Sequence, residues 1–225
     1  MSKFEKTDSG IIIIIGPPGS GKGAMSGDYI EQHSTAQHVS AGDLVRGIRS
    51  GEMQSSYSSI VQDSLQKRIL MPDETFADIV IERITSSNND VDLTLLDGFP
   101  QQLGDWEHFN KQLSRFRLRI FGAVCLWATE ETCVERMKFR GMRNGEYVRN
   151  QHSELEEYYR DRYRKYLEKY HILADMFSNK NVTTSVFDVN QNIIDQETRQ
   201  KVSGNFSKTV NLLIKNNKEN EEYEE

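Results

Sequence analysis

Five consecutive isoleucines at residues 11–15 run directly into the segment GPPGSGKG at residues 16–23. The apolar run is too short for a membrane-spanning helix, which needs about 20 residues. β-branched isoleucine suits a strand that is buried on both faces of a sheet. The glycines that follow cannot continue a strand, and they expose consecutive backbone N–H groups. A strand that leads into such a loop, with Lys22 near its end, predicts a phosphate-binding loop.

Strand-like and helix-like segments alternate along the rest of the chain. This alternation is typical of an α/β fold in which helices cover both faces of a parallel sheet. Apolar runs predict the strands at residues 11–15, 38–39, 93–96, 123–127 and 182–187.

We expect a single domain over residues 1–215, with two additions to its core. The loop at residues 141–151 contains two glycines and no periodic pattern of apolar residues, so we expect it to be mobile. The last ten residues have too little apolar surface to order themselves, so we expect a disordered acidic tail. The predicted parts are a core at 10–43, 85–140 and 152–215, a helical insert at 44–84, a loop at 141–151 and a tail at 216–225.

The strongest helix signal begins at Ser153, which forms a capping-box pattern with Glu156. Apolar and aromatic residues then recur at steps of three and four, as in an amphipathic helix. We interpret the tyrosines among them as core packing rather than as a platform for stacking bases. The residues of this stripe are Leu155, Tyr159, Tyr163, Tyr166, Tyr170, Leu173 and Phe177.

Charge and cysteine content exclude several functional classes. The net charge is −6, and the basic residues are not clustered as they are in nucleic-acid-binding proteins. Cys125 and Cys133 have no CxxC partner and the five histidines are scattered, so the sequence does not indicate a zinc site. Residues 1–10 are polar, so we expect no targeting segment, no membrane association and a cytoplasmic location with reduced, buried thiols.

The phosphate loop departs from the general pattern at one position. Gly16-x-x-x-x-Gly21-Lys22 fits that pattern, in which the lysine reaches the β- and γ-phosphates. The next residue is usually Ser or Thr, whose hydroxyl binds magnesium, but here it is Gly23. This difference points to a subgroup. The predicted ATP-binding residues of the loop are Gly16, Pro17, Pro18, Gly19, Ser20, Gly21, Lys22, Gly23 and Ala24.

Taken together with later segments, GPPGSGKG resembles the first motif of the adenylate kinases and UMP/CMP kinases, the nucleoside monophosphate kinases. The later segments that resemble family motifs are SAGDLVR at 40–46, MPD at 71–73, DGFP at 97–100 and ERMKFRG at 135–141. The resemblance covers residues 11 to about 177. It implies a P-loop NTPase fold with a five-stranded parallel sheet, in which the insert at 44–84 binds the nucleoside monophosphate (NMP) and the loop at 141–151 is a short lid.

The resemblance also implies the reaction, transfer of the γ-phosphoryl group of ATP-Mg²⁺ to an NMP. Arg136 and Arg140 lie four residues apart, so they share a helix face from which they could reach ATP and the transferring group. By themselves they would be ordinary solvated helix charges. Asp97 would orient magnesium-bound waters, assisted by Asp43. The implied catalytic residues are Lys22, Asp97, Arg136, Arg140 and Arg162. The implied NMP-binding residues are Ser40, Ala41, Arg46, Met71, Gly98, Phe99, Gln101, Asp105, Arg149 and Arg162.

Four departures from the family pattern bear on the acceptor. Ala24 replaces a threonine, and Gln101 replaces the arginine that follows DGFP and helps to hold the acceptor phosphate. Asp105 replaces a base-reading glutamine or asparagine, and an ionised carboxylate there can only accept hydrogen bonds. The lid lacks the family's R-x-D-D, and either Arg143 or Arg149 could serve it. We expect AMP as the first choice of acceptor and CMP or UMP as the second.

Two functional hypotheses of different classes follow. The first is a working monomeric NMP kinase with ATP and an NMP as its partners and Mg²⁺ as its cofactor. The second is a nucleotide-binding sensor or pseudo-kinase with little transfer activity, which the uncharged Gln101 and Ala24 favour. A phosphate-loop kinase for a non-nucleotide metabolite is disfavoured, because the segments at 40–46 and 97–100 occur together.

Overall fold

The central feature of this computed structural model is a parallel sheet that helices cover on both faces. The structure describes residues 9–67, 69, 71–86, 91–140, 142–143, 146–147, 152–191 and 195–222. The elements in chain order are β1 (Ser9–Ile15), α1 (Lys22–Gln32), β2 (Ala36–Ser40), α2 (Ala41–Ser50), α3 (Ser58–Lys67), α4 (Asp73–Thr85), β3 (Leu93–Asp97), α5 (Leu103–Leu113), a 3₁₀ turn (Ser114–Phe116), β4 (Leu118–Trp127), α6 (Glu130–Arg140), β5 (Met142–Arg143), β6 (Glu146–Tyr147), α7 (His152–Asn179), β7 (Thr184–Asp188) and α8 (Gln196–Glu222).

Five strands form the sheet in the order β2-β3-β1-β4-β7, and every adjacent pair is parallel. The predicted five-stranded parallel sheet is therefore confirmed. From β1 the chain runs to the edge strand β2 and returns to β3, which lies between β2 and β1; it then continues on the other side of β1 with β4 and β7. Such a reversal of strand order opens a crevice at the carboxyl ends of the strands, where ligands bind in open α/β sheets.

The isoleucine run of β1 is buried on both faces of the sheet, with exposures between 0% and 4%. Its odd-numbered residues lie in a hydrophobic cluster with α2, α3, α4, α5 and α7. Its even-numbered residues lie in a second cluster with α1 and α8. Because successive side chains of a strand point to opposite faces, an unbroken apolar run is what this central position requires.

Two carboxylates fasten the helices of residues 44–84 to each other and to the core. Asp78 of α4 accepts hydrogen bonds from Tyr57 (3.0 Å) and from His108 and Gln112 of α5 (2.8 Å each). Glu82 of α4 accepts from the backbone N–H of Ser56 (3.0 Å), which precedes α3. These bonds set the position of the insert beside the second half of α5.

The lid region and the start of α7 differ from their predicted forms. Within residues 141–151, β5 and β6 pair as antiparallel strands, which are too short to give an alternating sequence pattern. Helix α7 begins at His152, one residue before the predicted cap Ser153, whose side chain lies outside the described residues. The carboxylate of Glu156 instead pairs with Lys138 (2.7 Å) and Arg160 (2.9 Å), which joins the two helices that flank the lid.

The expectation of disorder from residue 216 onward is wrong for the part that the structure describes. Helix α8 continues to Glu222. Adding residues to a helix that is already formed and packed avoids the free-energy cost of nucleating a new helix. The polar residues after Lys215 can therefore continue α8. An ion pair between Lys215 and Glu219 (3.4 Å), four residues apart, also supports the last turns.

Both cysteines are buried free thiols, as expected from the sequence. Burial raises the pKa of the Cys133 thiol to about 11, so this group stays protonated and unreactive at neutral pH. No helix in the described part of the chain combines the length and the apolar content needed to cross a membrane.

Replacing Ile13 by alanine should lower the free energy of unfolding by about 2–5 kcal/mol, because this fully buried side chain of β1 would leave a cavity. Val186→Ala is the control. Because Val186 is 68% exposed, this substitution should lower the free energy of unfolding by less than about 1 kcal/mol. Urea unfolding of both variants measures the difference. Equal losses would contradict the central position assigned to β1.

Candidate active site

The candidate site lies where β1, β2 and β3 end. Ser40, the last residue of β2, is in register with Asp97, the last residue of β3, and Asp97 is in register with Ile14 of β1. The phosphate loop, the start of α2 and the DGFP segment therefore leave the sheet at the same edge. Three segments that are far apart in the sequence thus face one crevice.

The conformation of the phosphate loop depends on its glycines. Gly19 has φ 86° and Gly21 has φ 94°, a left-handed backbone that other residues rarely adopt. A Cβ on Gly19 would lie 2.3 Å from the backbone oxygen of Cys133 in α6, so this glycine also permits a close approach of two chain segments. The loop leads into the N-terminus of α1, whose free N–H groups and dipole favour an anion.

Lys22 lies over its own loop and beside Asp97. Its Nζ donates to the backbone oxygens of Gly16 (2.9 Å) and Pro17 (3.3 Å) and lies 4.0 Å from the Asp97 carboxylate. Both side chains are mostly buried, at 17% and 11% exposure. The structure therefore brings together two residues that were predicted to act on the donor phosphates and the metal.

Two polar groups near Lys22 are buried without a hydrogen-bond partner among the described residues. One is the hydroxyl of Ser20, in the loop itself. The other is Nε2 of His38 on β2, which lies 3.7 Å from Asp97. Buried polar atoms normally find partners, so an unpartnered hydroxyl in this loop fits a site for phosphate oxygens. Sequence reasoning missed His38, although its place two residues before Ser40 puts it at the carboxyl end of β2.

The donor set fits magnesium only together with a nucleotide. Asp97 supplies one carboxylate beside the loop, and the described residues contain no group of three or more His, Cys, Asp or Glu that could hold a metal ion. Phosphate oxygens and water would have to complete the octahedral shell that Mg²⁺ requires. Asp43, the other predicted contributor, pairs instead with Arg46.

Arg136 lies at the phosphate loop, but its guanidinium is bound to main-chain carbonyls. It donates to the oxygens of Ser20 (3.2 Å), Val189 and Gln191. Its predicted contact with ATP and the transferring phosphoryl group stays a prediction. Arg136 joins the loop to the chain segment that follows β7, and burial lowers its pKa from the ordinary arginine value.

The structure gives few contacts for the other arginines that were predicted to bind the substrates. Arg162 of α7 is exposed, and its guanidinium lies 5.8 Å from the centre of the Tyr158 ring; no described contact joins it to the phosphate loop. The side chains of Arg140 and Arg143, and the whole of Arg149, lie outside the described residues. Their predicted roles stay predictions.

On the acceptor side, the segment at 40–46 forms the start of α2. The Ser40 hydroxyl caps the helix by accepting from the N–H of Asp43 (3.3 Å), and Ala41 is fully buried. Arg46 forms an ion pair with Asp43, and both side chains are about 60% exposed. Surface pairs of this kind contribute little, so the guanidinium remains available to a stronger anion.

The segment after β3 gives Asp105 a different place from the expected one. Gly98 has φ 75°, Phe99 is fully buried and Met71 is partly buried against the same core. Gln101 is exposed, and its amide lies 3.4 Å from the Gly98 oxygen. Asp105 is only 1% exposed and caps α5 by accepting from the backbone N–H groups of Gln101 (3.0 Å) and Gln102 (3.2 Å). Its expected base-reading contact is therefore absent from this arrangement.

Replacing Gly19 by alanine should weaken ATP binding by at least about tenfold and lower the melting temperature, because the new Cβ would collide with the Cys133 oxygen. The control is Gly27→Ala in α1, where no atom lies within 4 Å of the new Cβ and helix propensity improves by up to about 1 kcal/mol. Calorimetric titration with ATP and thermal unfolding measure both effects. Normal ATP affinity in Gly19→Ala would contradict the role of this turn.

Comparison with known proteins agrees with this geometry. A family model described as adenylate kinase matches residues 14–182, more than half of the chain. The chain is 28% identical to the adenylate kinase of Fervidobacterium nodosum over 193 residues, which are 76% of this chain and 86% of the relative. It is 29% identical to adenylate kinase isoenzyme 1 of Homo sapiens over 162 residues (70% and 78%), and 30% identical to isoenzyme 1 of Cyprinus carpio over 139 residues (61% and 68%).

Proposed function

This chain belongs to the adenylate kinase family and is a phosphotransferase, and we propose that its donor is ATP-Mg²⁺ and that its acceptor is AMP in first place and CMP or UMP in second. The observation that carries the proposal is the meeting of the phosphate loop, Lys22 and Asp97 at neighbouring strand ends. Phosphoryl transfer needs positioning and charge more than covalent chemistry, and these groups provide both on the donor side.

On the donor side, Lys22 would exchange its two carbonyl partners for phosphate oxygens. Its hydrogen bonds to Gly16 and Pro17 keep the ammonium group at the loop before a ligand arrives. The unpartnered hydroxyl of Ser20 would donate to the same phosphates. Bound Mg²⁺ would neutralise charge between the β- and γ-phosphates, and Asp97 would orient its water ligands.

On the acceptor side, Arg46 would leave Asp43 for the monophosphate. Both partners are largely exposed, so the existing pair is weak, whereas a phosphate offers two oxygens to the planar guanidinium. Asp43 would assist at the metal. Ser40 and Ala41 hold the start of α2 in place for this exchange.

The transferring group needs further cations, which Arg140, Arg162 and Arg149 or Arg143 would supply. Arg162 has an exposed side chain on α7, the helix that follows the lid and begins at His152. Closure of the lid and of the helical insert would bring such residues together and exclude water from the reaction. We propose that the enzyme works as a cytoplasmic monomer.

A second function, nucleotide binding with little transfer, is favoured by one observation. Gln101 carries no charge at the place where the resemblance implies an arginine, so Arg46 faces the acceptor phosphate with less help. Weak acceptor binding would leave ATP binding intact and turnover slow.

An ADP-release assay with AMP, dAMP, CMP, UMP and GMP decides between the two functions. We expect at least about 1 s⁻¹ with one acceptor. Lys22→Ala should reduce that rate by at least about 100-fold, because the main cation at the donor phosphates is lost. ATP binding with no turnover on any acceptor would overturn the kinase and support the sensor.

Gln101→Arg should lower the KM for the acceptor by about tenfold, which corresponds to about 1.4 kcal/mol, because it adds a cation at the monophosphate. The KM for ATP should not change. Gln200→Arg adds the same charge on exposed α8 and should leave both constants unchanged. Steady-state kinetics with each substrate varied in turn give the comparison, and an unchanged or higher acceptor KM in Gln101→Arg would refute this view of position 101.

A further inference from the structure

Two helix N-termini meet beside the acceptor segments, and each brings a carboxylate. Asp73 is the first residue of α4, and Asp105 lies in the first turn of α5. The side-chain amide of Gln102 stands between them and donates to Asp73 and, at 3.4 Å, to Asp105. We call Asp73, Gln102 and Asp105 the carboxylate bridge. It joins the end of the helical insert to the core.

The carboxylate of Asp105 is occupied by the chain itself. One oxygen accepts from two backbone N–H groups, at 3.0 and 3.2 Å, and the other oxygen faces Gln102. The residue is 1% exposed. A nucleobase could reach this carboxylate only if the cap of α5 broke, which would take the hydrogen-bond partner from the partly buried N–H donors of Gln101 and Gln102. Such losses are unfavourable, so base reading and capping exclude each other here.

The carboxylate bridge connects two segments that were assigned to the acceptor. The N–H of Gln101 is held by Asp105, so the backbone at the end of the DGFP segment depends on this cap. Asp73 directly follows Met71 and Pro72, and it approaches α5 so closely that a Cβ on Gly104 would lie 1.7 Å from its carboxylate. The distance between residues 71–73 and residues 98–101 therefore depends on the Gln102 amide together with the cap that Asp105 forms.

We propose that Asp105 is a positioning residue, an inference that rests on the proposed function. Through the carboxylate bridge it holds the two acceptor segments at their working distance, and it takes no part in choosing the base. The choice among monophosphates then comes from other groups. Loss of the cap should weaken the binding of every acceptor alike, because all of them carry the same phosphate and ribose.

Asparagine and alanine at position 105 separate positioning from base reading. The side-chain oxygen of Asn can accept the same two backbone N–H bonds as the carboxylate, so Asp105→Asn should keep each acceptor KM within about twofold of the original value. Because an amide can donate where a carboxylate cannot, a base-reading residue would instead change the ranking of AMP, CMP, UMP and GMP in this variant. Asp105→Ala should raise the KM of all acceptors by a common factor of about ten and leave the KM for ATP unchanged.

Asp195→Ala is the matched control, because Asp195 also caps a helix by accepting from a backbone N–H (Thr198, 2.8 Å), at the start of α8. It should lower the melting temperature without changing any acceptor KM. A changed acceptor ranking in Asp105→Asn, an equal rise of the ATP KM in Asp105→Ala, or an unaltered Asp105→Ala would each overturn the inference.

The same experiment distinguishes this inference from the proposed function. If the unmodified enzyme shows no turnover, the kinase fails, and calorimetric titration with the four monophosphates replaces kinetics, with the same outcomes expected for the dissociation constants. If no monophosphate binds to the unmodified protein, both proposals fail. Turnover with a changed ranking in Asp105→Asn refutes the positioning role alone.

Discussion

Burial of β1 on both faces of the sheet is the constraint on which the site depends. Because the isoleucines of this strand contact helices on either side, the strand cannot shift its register without exposing a whole row of apolar side chains. The phosphate loop begins where the run ends, so its position relative to Asp97 on β3 is set by strand pairing rather than by the loop. A flexible-looking glycine segment thus becomes a fixed binding surface, and catalysis by positioning needs that rigidity.

A second feature of the site is that its cationic side chains already have partners within the chain. Lys22 and Arg136 donate to main-chain carbonyls, and Arg46 pairs with Asp43. The strength of these contacts differs with burial. The exposed pair of Arg46 with Asp43 contributes little, whereas Arg136 binds three carbonyls in a partly buried place and joins the phosphate loop to the segment after β7.

The sequence predicted the sheet well because buried parallel strands appear as short apolar runs. Each observed strand overlaps its predicted run, although β4 begins at Leu118 instead of residue 123 and β7 begins at Thr184 instead of residue 182. The resemblance assigned Lys22 to the donor phosphates and Asp97 to the metal, and the structure places the two side chains 4.0 Å apart. The partners of Arg136 were not predictable, because they come from segments 53 to 116 residues away. Asp105 shows another limit, since an acidic residue in the first turn of a helix can cap that helix or face a ligand, and only the direction of the side chain decides.

The acceptor pocket follows from these contacts taken together. With Gln101 uncharged, Arg46 is the described cation of the segments assigned to the acceptor, and it stands on α2, within the region joined to α5 by Asp78 and the carboxylate bridge. Its distance from the donor phosphates therefore depends on how the insert is fastened to the core. Misplacing a reacting group by about 1 Å can cost 100-fold in rate. Under the proposed function, the buried carboxylate of Asp105 would therefore matter to the acceptor without touching it, because it helps to fasten the insert that carries Arg46.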